Sequence, residues 1–221
     1  LIHVFFNEMK QIMKLGNFKK MLNINVIRKT YDIGDFLSGY GFEKAIILNA
    51  GSSSTNLGEN CINVDIQNKP GIHCVCDVHN IPFGKNTFDI VVLSAVLQYC
   101  RNPHQVASEL FRVLKPGGLV YVDAPFVQAY CPDTPDLFRF SKDALGVIFS
   151  QFNLLQSDTS IPGGSALAFY CQSLVRNATG NRYIDYFLGT LVSLVVLPFS
   201  LLNFNKNSNV AGAVYLVGKK V

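Results

Sequence analysis

Phe88-Asp89-Ile90-Val91-Val92-Leu93 is the strongest of several short, almost unbroken apolar runs in this chain. These runs constrain the fold more than any other feature. A strand that faces water on one side alternates apolar and polar residues. A strand covered on both faces does not, and is rich in Val, Ile and Leu. Ala45–Leu48, Ile62–Val64, Ile72–Cys76 and Leu119–Asp123 read as further strands, with Phe152–Gln156 and Ala213–Val217 as the sixth and seventh. The pattern predicts an α/β fold around a mostly parallel sheet. Pro103–Leu114 carries Val106, Leu110, Val113 and Leu114 at helical spacing. Asn102 is placed to cap that helix and Pro103 takes its first position. Lys115-Pro116-Gly117-Gly118 is expected to stop it and turn into the fifth strand, and Ser141–Phe149 predicts another helix capped by Ser141. The connections between the first three strands are short, whereas a parallel crossover usually takes about a dozen residues. Either the early crossovers are trimmed or one of these strands is misplaced.

Composition narrows the class. The 221 residues are 49% hydrophobic and 15% charged, which fits a globular chain with a sizeable core. We expect a single domain, with a helical segment at 1–44, a ligand-binding core at 45–160 and an apolar helical insertion at 183–207. The net charge of +4 is too mild for a nucleic-acid signature. The six cysteines form no C-x-x-C pair and no His cluster sits near them, so no metal site is expected and the thiols read as reduced and buried.

Ligand chemistry is suggested where strands end. Ile46-Ile47-Leu48-Asn49-Ala50-Gly51-Ser52-Ser53-Ser54 is an apolar run that breaks into a Gly/Ser turn. In open α/β sheets, ligands bind beyond the carboxyl ends of strands. Small residues let backbone N–H groups approach them. Asp65, with Ile66 after it, closes the second strand, where a carboxylate can accept from the two hydroxyls of a ribose. Asp77-Val78 follows the third strand, in front of Asn80-Ile81-Pro82-Phe83. Ser94 and Ala95 end the fourth. Each piece alone also reads as a turn or a cap. A nicotinamide-dependent oxidoreductase on a similar sheet would need G-x-G-x-x-G opening a helix, which is absent.

Together and in this order, the Gly/Ser turn, Asp65, Asp77, the Phe88-Asp89 strand and Leu114-Lys115-Pro116-Gly117-Gly118 resemble a class I S-adenosylmethionine-dependent methyltransferase of the small type 11-like kind. The resemblance is firm over residues 45–125. It implies a Rossmann-like seven-stranded sheet of order 3-2-1-4-5-7-6, with the last strand antiparallel, and S-adenosylmethionine as cofactor. It also implies that Asn49, Ala50, Gly51, Ser52 and Ser53 face the methionine part and that Asp65, with Ile66 beside it, holds the ribose. Asp77 and Val78 would flank the adenine, and Ser94 and Ala95 would lie near the sulfonium. The chain departs from the family at Asn49, where an acid is usual, and at Ser53, where a glycine is usual. Asn keeps an acceptor but no charge, which weakens attraction to a cation, and Ser fits if its φ is negative.

The segment from Ala124 to Ser141 resembles a loop of methyltransferases from bacterial cell-surface polysaccharide genes, with Cys131 where a His is common. Tyr130 would stack on a sugar, and Asp133, Asp136 and Arg139 would bind hydroxyls or a phosphate. The alternative is a rigid turn held by an Asp136–Arg139 pair. An oxygen acceptor benefits from a general base, for which Asp133, Asp136, His104 and His79 are candidates by type. Tyr186 to Asn205 carries no charge. Its length approaches the roughly 20 apolar residues of a membrane span, but the last strand must rejoin the sheet from the same side. A helix or broken hairpin lying in the membrane surface fits better, with a core or interface helix as the alternative. The resulting expectation is a methyltransferase with a small-molecule or glycan acceptor, cytoplasmic and peripheral on the membrane face. A catalytically silent relative serving as an interaction module is the alternative from another class.

Overall fold

A computed structural model describes residues 27, 29–40, 44–53, 55–131, 134–175, 178–201 and 210–221. The helical expectation for 1–44 lies mostly outside these residues, as do Ser54, Asp133 and the end of the apolar segment. The chain packs as two compact units. Among the described residues, one comprises those within 31–126, 130–160 and 213–221, and the other those within 27–30, 127–129 and 161–212.

The first unit holds the sheet. Its strands are β1 (Ile47–Ala50), β2 (Cys61–Asp65), β3 (Cys74–Val75), β4 (Phe88–Ser94), β5 (Leu114–Pro125), β6 (Asn153–Ile161, its last residue in the other unit) and β7 (Ala213–Lys219). They run in the order β3-β2-β1-β4-β5-β7-β6. β1 to β5 are parallel to one another and β7 runs antiparallel to β5. This is the expected Rossmann-like order. The apolar runs are buried for the expected reason: Val91, Val92 and Leu93 are fully enclosed, as are Val120, Tyr121 and Val122.

The early crossovers are indeed trimmed; all seven expected strands are present, but the first lies at Ile47–Ala50 rather than Ala45–Leu48 and the third is only Cys74–Val75. Among the described residues, neither the β1–β2 nor the β2–β3 connection contains a helix. His73 makes the second possible. Its Nδ1 accepts the Asn63 N–H at 2.9 Å while its own N–H donates to the Asn63 carbonyl at 2.8 Å. A side chain thus substitutes for a ladder partner at the start of a two-residue strand.

Helix α1 (Ile33–Tyr40) buries Phe36 and Leu37. Helix α2 (Pro103–Val113) starts as expected, with Asn102 Oδ1 accepting the Gln105 N–H at 3.2 Å. It ends at Val113 because a residue before proline disfavours helical geometry, and Lys115 precedes Pro116. One expectation fails here. Lys115–Gly118 is not a turn between helix and strand, because β5 begins at Leu114 and the four residues form an irregularity inside it. Leu114 pairs with Phe88, and Leu119 with Ile90, so the register shifts between them. Gly118 permits this: a Cβ there would lie 2.8 Å from the Asp89 carbonyl oxygen. Gly117 N–H donates to the Lys220 carbonyl at 2.8 Å, and Lys220 N–H to the Gly118 carbonyl at 2.9 Å. Helix α3 (Lys142–Ile148) has the expected cap, with Ser141 Oγ accepting the Ala144 N–H.

The second unit contains α4 (Gly163–Val175) and α5 (Arg182–Leu201). No helix among the described residues is long and apolar enough to cross a membrane.

Candidate functional site

The carboxyl ends of β1, β2, β3 and β4 line one edge of the sheet and carry the cofactor residues expected from the sequence. Gly51 anchors the turn after β1. Its φ of +70° is left-handed and free of steric cost for glycine alone. A Cβ would lie 2.3 Å from Val96 Cγ2, so this turn packs directly on the segment after β4. The Gly51 and Ser52 N–H groups both donate to the Val64 carbonyl, at 2.8 and 3.1 Å. Ser53 has a φ of +47°, so the condition of a negative φ, under which a serine fits without cost, is not met. The left-handed region costs a non-glycine residue about 1–2 kcal/mol. A charge-assisted hydrogen bond offsets it: the Ser53 N–H donates to Asp65 Oδ2 at 2.9 Å, while Gln67 N–H donates to Oδ1 at 2.9 Å. Asp65 is therefore buried, oriented and joined to the turn, and Ile66 beside it is exposed.

Asn49 does something the sequence did not suggest. It is buried in β1, in register with Asn63 of β2. Its Nδ2 donates to Asn63 Oδ1 at 3.2 Å and to the Thr55 carbonyl at 3.0 Å. Asn63 Nδ2 in turn donates to the Gly71 carbonyl at 3.1 Å. The amide thus braces the turn from inside. Asn49→Asp, which would restore the acid usual in such sheets, is expected to destabilise the protein by about 2–4 kcal/mol. It would set a buried carboxylate against two acceptors. Urea unfolding reads this, and a variant more stable than wild type would contradict the arrangement.

After β3, Asp77 is held by its neighbour. Its Oδ1 accepts the His79 N–H at 2.9 Å and lies 2.6 Å from His79 Nδ1. Asn102 N–H donates to His79 Nε2 at 3.2 Å, so the ring is the neutral tautomer that donates from Nδ1. Both ring nitrogens are engaged, which removes His79 from the candidate bases. Burial alone would raise the Asp77 carboxyl, but the His79 contacts outweigh it and hold it below the ordinary range. Val78 is buried. The following turn is clamped to α2: Glu109 Oε2 accepts the Ile81 N–H at 2.8 Å, and Arg112 bonds Glu109 and the carbonyls of Ile81 and Phe83.

Asp123, at the end of β5, is a site residue that sequence reasoning missed. It is 6% exposed. Its Oδ2 accepts from Ser94 Oγ at 2.8 Å and Tyr121 OH at 3.0 Å, and its Oδ1 accepts the Ala95 N–H at 2.9 Å. Ala95 has a φ of +53°, and this carboxylate holds it there. Burial first, and then the Asp123 charge, push the Tyr121 phenol far up, so it stays a donor. The rule that singled out Asp65, an acid closing a buried strand, also fits Asp123.

The 130–140 loop reaches this edge through Gln98, whose carbonyl accepts from Leu137 and Phe138 at 2.9 and 3.2 Å. Tyr130 is exposed. Asp136 and Arg139 form a two-pronged pair at 2.5 and 2.6 Å, and Asp136 Oδ2 also accepts the Cys131 N–H. Arg139 therefore holds the Asp136 carboxyl below the ordinary range, which makes it a poor proton acceptor. His104 sits in the first turn of α2. All six cysteines are free thiols, but only Cys61 and Cys100 are fully buried. Burial pushes the Cys100 thiol up to about 12.

The depressed carboxyls of Asp77, Asp89, Glu109 and Asp136 set a pH dependence. A group whose folded pKa lies below its unfolded value adds stability above the unfolded value and loses it as pH falls through the folded one. Urea midpoints should be level from neutral to about pH 5 and decline below about pH 4, where free carboxyls titrate. A midpoint that rises on acidification would contradict these pairings.

Residues 43–122 match the family model of the methyltransferase domain. Over this stretch the chain resembles a methyltransferase domain. A ubiquinone/menaquinone biosynthesis C-methyltransferase UbiE from Desulfotalea psychrophila is 29% identical over 133 residues, which cover 53% of this chain and 50% of that protein. The biotin biosynthesis bifunctional protein BioHC of Cellvibrio japonicus is 35% identical over 95 residues, covering 41% and 18%. The chain thus spans about half or less of these curated relatives. A solved S-adenosylmethionine-dependent methyltransferase from Methanosarcina mazei shares the fold at a TM-score of 0.53 and 15% identity, covering 86% of this chain and 99% of that one.

The edge residues fit S-adenosylmethionine, the cofactor that the resemblance implies. Each Asp65 oxygen accepts one backbone N–H and retains a lone pair for a ribose hydroxyl. The buried Ser52 Oγ has no partner among the described residues, which suits a hydroxyl that meets a ligand. The hallmark residues Asp89 and Lys115 lie at the opposite end of the strands. Lys115 Nζ bonds Asp89 Oδ1 at 2.8 Å, and Asp89 Oδ2 accepts the Ile46 N–H at 3.0 Å. They fix the register of β1, β4 and β5 and touch no ligand edge.

Proposed function

We propose that this chain transfers a methyl group from S-adenosylmethionine to a small, glycan or lipid-linked acceptor at the cytoplasmic face of a membrane. The observation that carries the reading is the Ser53–Asp65 hydrogen bond, which joins the Gly/Ser turn and the ribose acceptor into one preformed edge. The cofactor supplies an electrophilic methyl on a sulfonium. The chain's part is to orient and to exclude water, which account for much of such catalysis. Asp65 would hold the ribose hydroxyls, and Asp77 and Val78 would border the adenine. Asn49 would serve the turn rather than the ligand. Ser94 and Ala95, fixed by Asp123, would border the acceptor. Tyr130 and Arg139 supply an aromatic face and a bidentate donor suited to a sugar or phosphate. For a hydroxyl acceptor, His104 or Asp133 remains the base, because Asp136 is engaged by Arg139.

A second reading, a catalytically silent interaction module, is favoured by the inward-turned amide of Asn49 where an acid is usual. Calorimetry with S-adenosylmethionine separates the readings. Heat that vanishes in Asp65→Ala, with turnover on a lipid-linked sugar, supports transfer. Heat without turnover on any acceptor supports the silent module. No heat at millimolar cofactor overturns both.

A further inference from the structure

In a water-soluble helical pair, polar side chains face solvent and large apolar ones meet between the helices. Helices α4 and α5 instead also enclose polar side chains and leave a row of large apolar ones outside. Between them, Gln172 Nε2 donates to Ser193 Oγ at 2.9 Å, and Ser193 Oγ donates to the Gly189 carbonyl at 2.6 Å. Ala168 and Val196 pack in one cluster with the half-buried Phe169, Val192 and Leu194. As numbers fall along α4 they rise along α5, so the helices run antiparallel. The residues α4 buries are small or polar: Gly164, Ser165, Ala166, Ala168 and Gln172. On the outside stand Leu167, Tyr170 and Leu174 of α4, and Phe187, Leu191 and Val195 of α5, from 45% to 69% exposed. Each set recurs three or four residues apart, which aligns it along one face.

Charge follows the same logic. α4 contains no charged residue, and α5 has charges only at Arg182 and Asp185. Asp185 is 8% exposed and is enclosed by Thr179, whose N–H and Oγ1 donate to its Oδ1 at 2.9 and 2.7 Å. The acid is thereby withdrawn from the surface. Arg176 and Arg182 flank the connection between the helices, and Lys206 follows the pair.

We propose that the α4–α5 hairpin embeds its outer face in one leaflet of a lipid bilayer that carries anionic headgroups. Small residues and polar side chains between helices, with large apolar ones outside, are how helices pack in lipid. Basic residues beside such a segment add attraction to an anionic surface. A protein partner would need polar groups on the face to set its register, at about one hydrogen bond per 100–200 Å², and the six outer residues offer only the Tyr170 hydroxyl. The hairpin lies in the leaflet and does not span it. This deepens the membrane part of the reading above and is independent of methyl transfer, which cofactor calorimetry tests separately.

The chain contains no tryptophan, so Phe187→Trp would place a unique reporter on the outer face. Full-length protein is mixed with vesicles of phosphatidylcholine alone, or of phosphatidylcholine with phosphatidylglycerol, and floated. Co-flotation that is stronger with phosphatidylglycerol is expected, with blue-shifted Trp emission quenched by acyl-brominated lipid. The triple variant F187S/L191S/V195S should float at least about a hundredfold less, because three apolar side chains leave the lipid. Its thermal unfolding should be unchanged, since these side chains are already exposed. Wild-type protein that stays in the dense fraction overturns the inference. So does a reporter that shifts with protein concentration and not with lipid, which would assign the face to a second copy.

Discussion

Gly51→Ala is expected to destabilise the protein by about 2–5 kcal/mol and to abolish cofactor binding, since left-handed geometry and overpacking act together. The φ of +70° at Gly51 contributes the first part. The second comes from a methyl placed 2.3 Å from Val96 Cγ2, where either Val96 must rotate or the turn must lift. Both responses disturb the edge, because the Gly51 and Ser52 N–H groups are tied to Val64 and the next N–H orients Asp65. Val96→Ala removes the clash but leaves the backbone strain, so the double variant should regain part of the loss. Urea unfolding of the four proteins gives the coupling between the two positions. A Gly51→Ala protein within about half a kcal/mol of wild type, the range of an ordinary surface change, would show that the turn does not depend on glycine.

The sheet was legible because its strands are buried on both faces, and periodicity reports burial directly. What periodicity cannot see is a polar residue that is buried for a reason elsewhere in the chain. Asn49 made β1 look as if it ended two residues early, since its partner Asn63 lies across the register on another strand. The expected strand Ala45–Leu48 is Ile47–Ala50 for that reason. Lys115–Gly118 reads as a helix stop and is one, but the same residues continue as strand through contacts with Lys220 at the far end of the sequence. The hallmark pair of Asp89 and Lys115 carried the resemblance from the end of the sheet opposite the ligand edge. It acts as a register lock, so it identifies the fold without touching the chemistry. The apolar 183–207 segment was visible as composition alone. That it pairs with α4 through Gln172 and Ser193, leaving Phe187, Leu191 and Val195 outward, is a matter of helix pairing that composition does not carry.

Asp123→Ala is the second substitution with a large expected effect, about 3–5 kcal/mol with loss of cofactor binding, because it strands several buried donors at once. Tyr121 OH is the most costly of these. The ring is completely buried among Tyr31, Phe36 and Tyr215, so water does not replace the lost acceptor. Ser94 Oγ can rotate toward solvent, whereas the Ala95 N–H retains a 3.1 Å contact to the Asp123 carbonyl. The loss should therefore divide unequally. Tyr121→Phe alone should cost about 1 kcal/mol, the net worth of one hydrogen bond. Asp123→Ala made on the Tyr121→Phe background should cost clearly less than on wild type. Asp123→Asn should fall between, since its amide keeps one acceptor and sets an NH₂ against hydroxyls that can reverse their bonds. Thermal unfolding orders the variants, and calorimetry with S-adenosylmethionine tells whether binding follows stability. If Asp123→Asn folds like wild type but binds far more weakly, the carboxylate acts on the ligand edge through the left-handed Ala95 turn, and not only through the core.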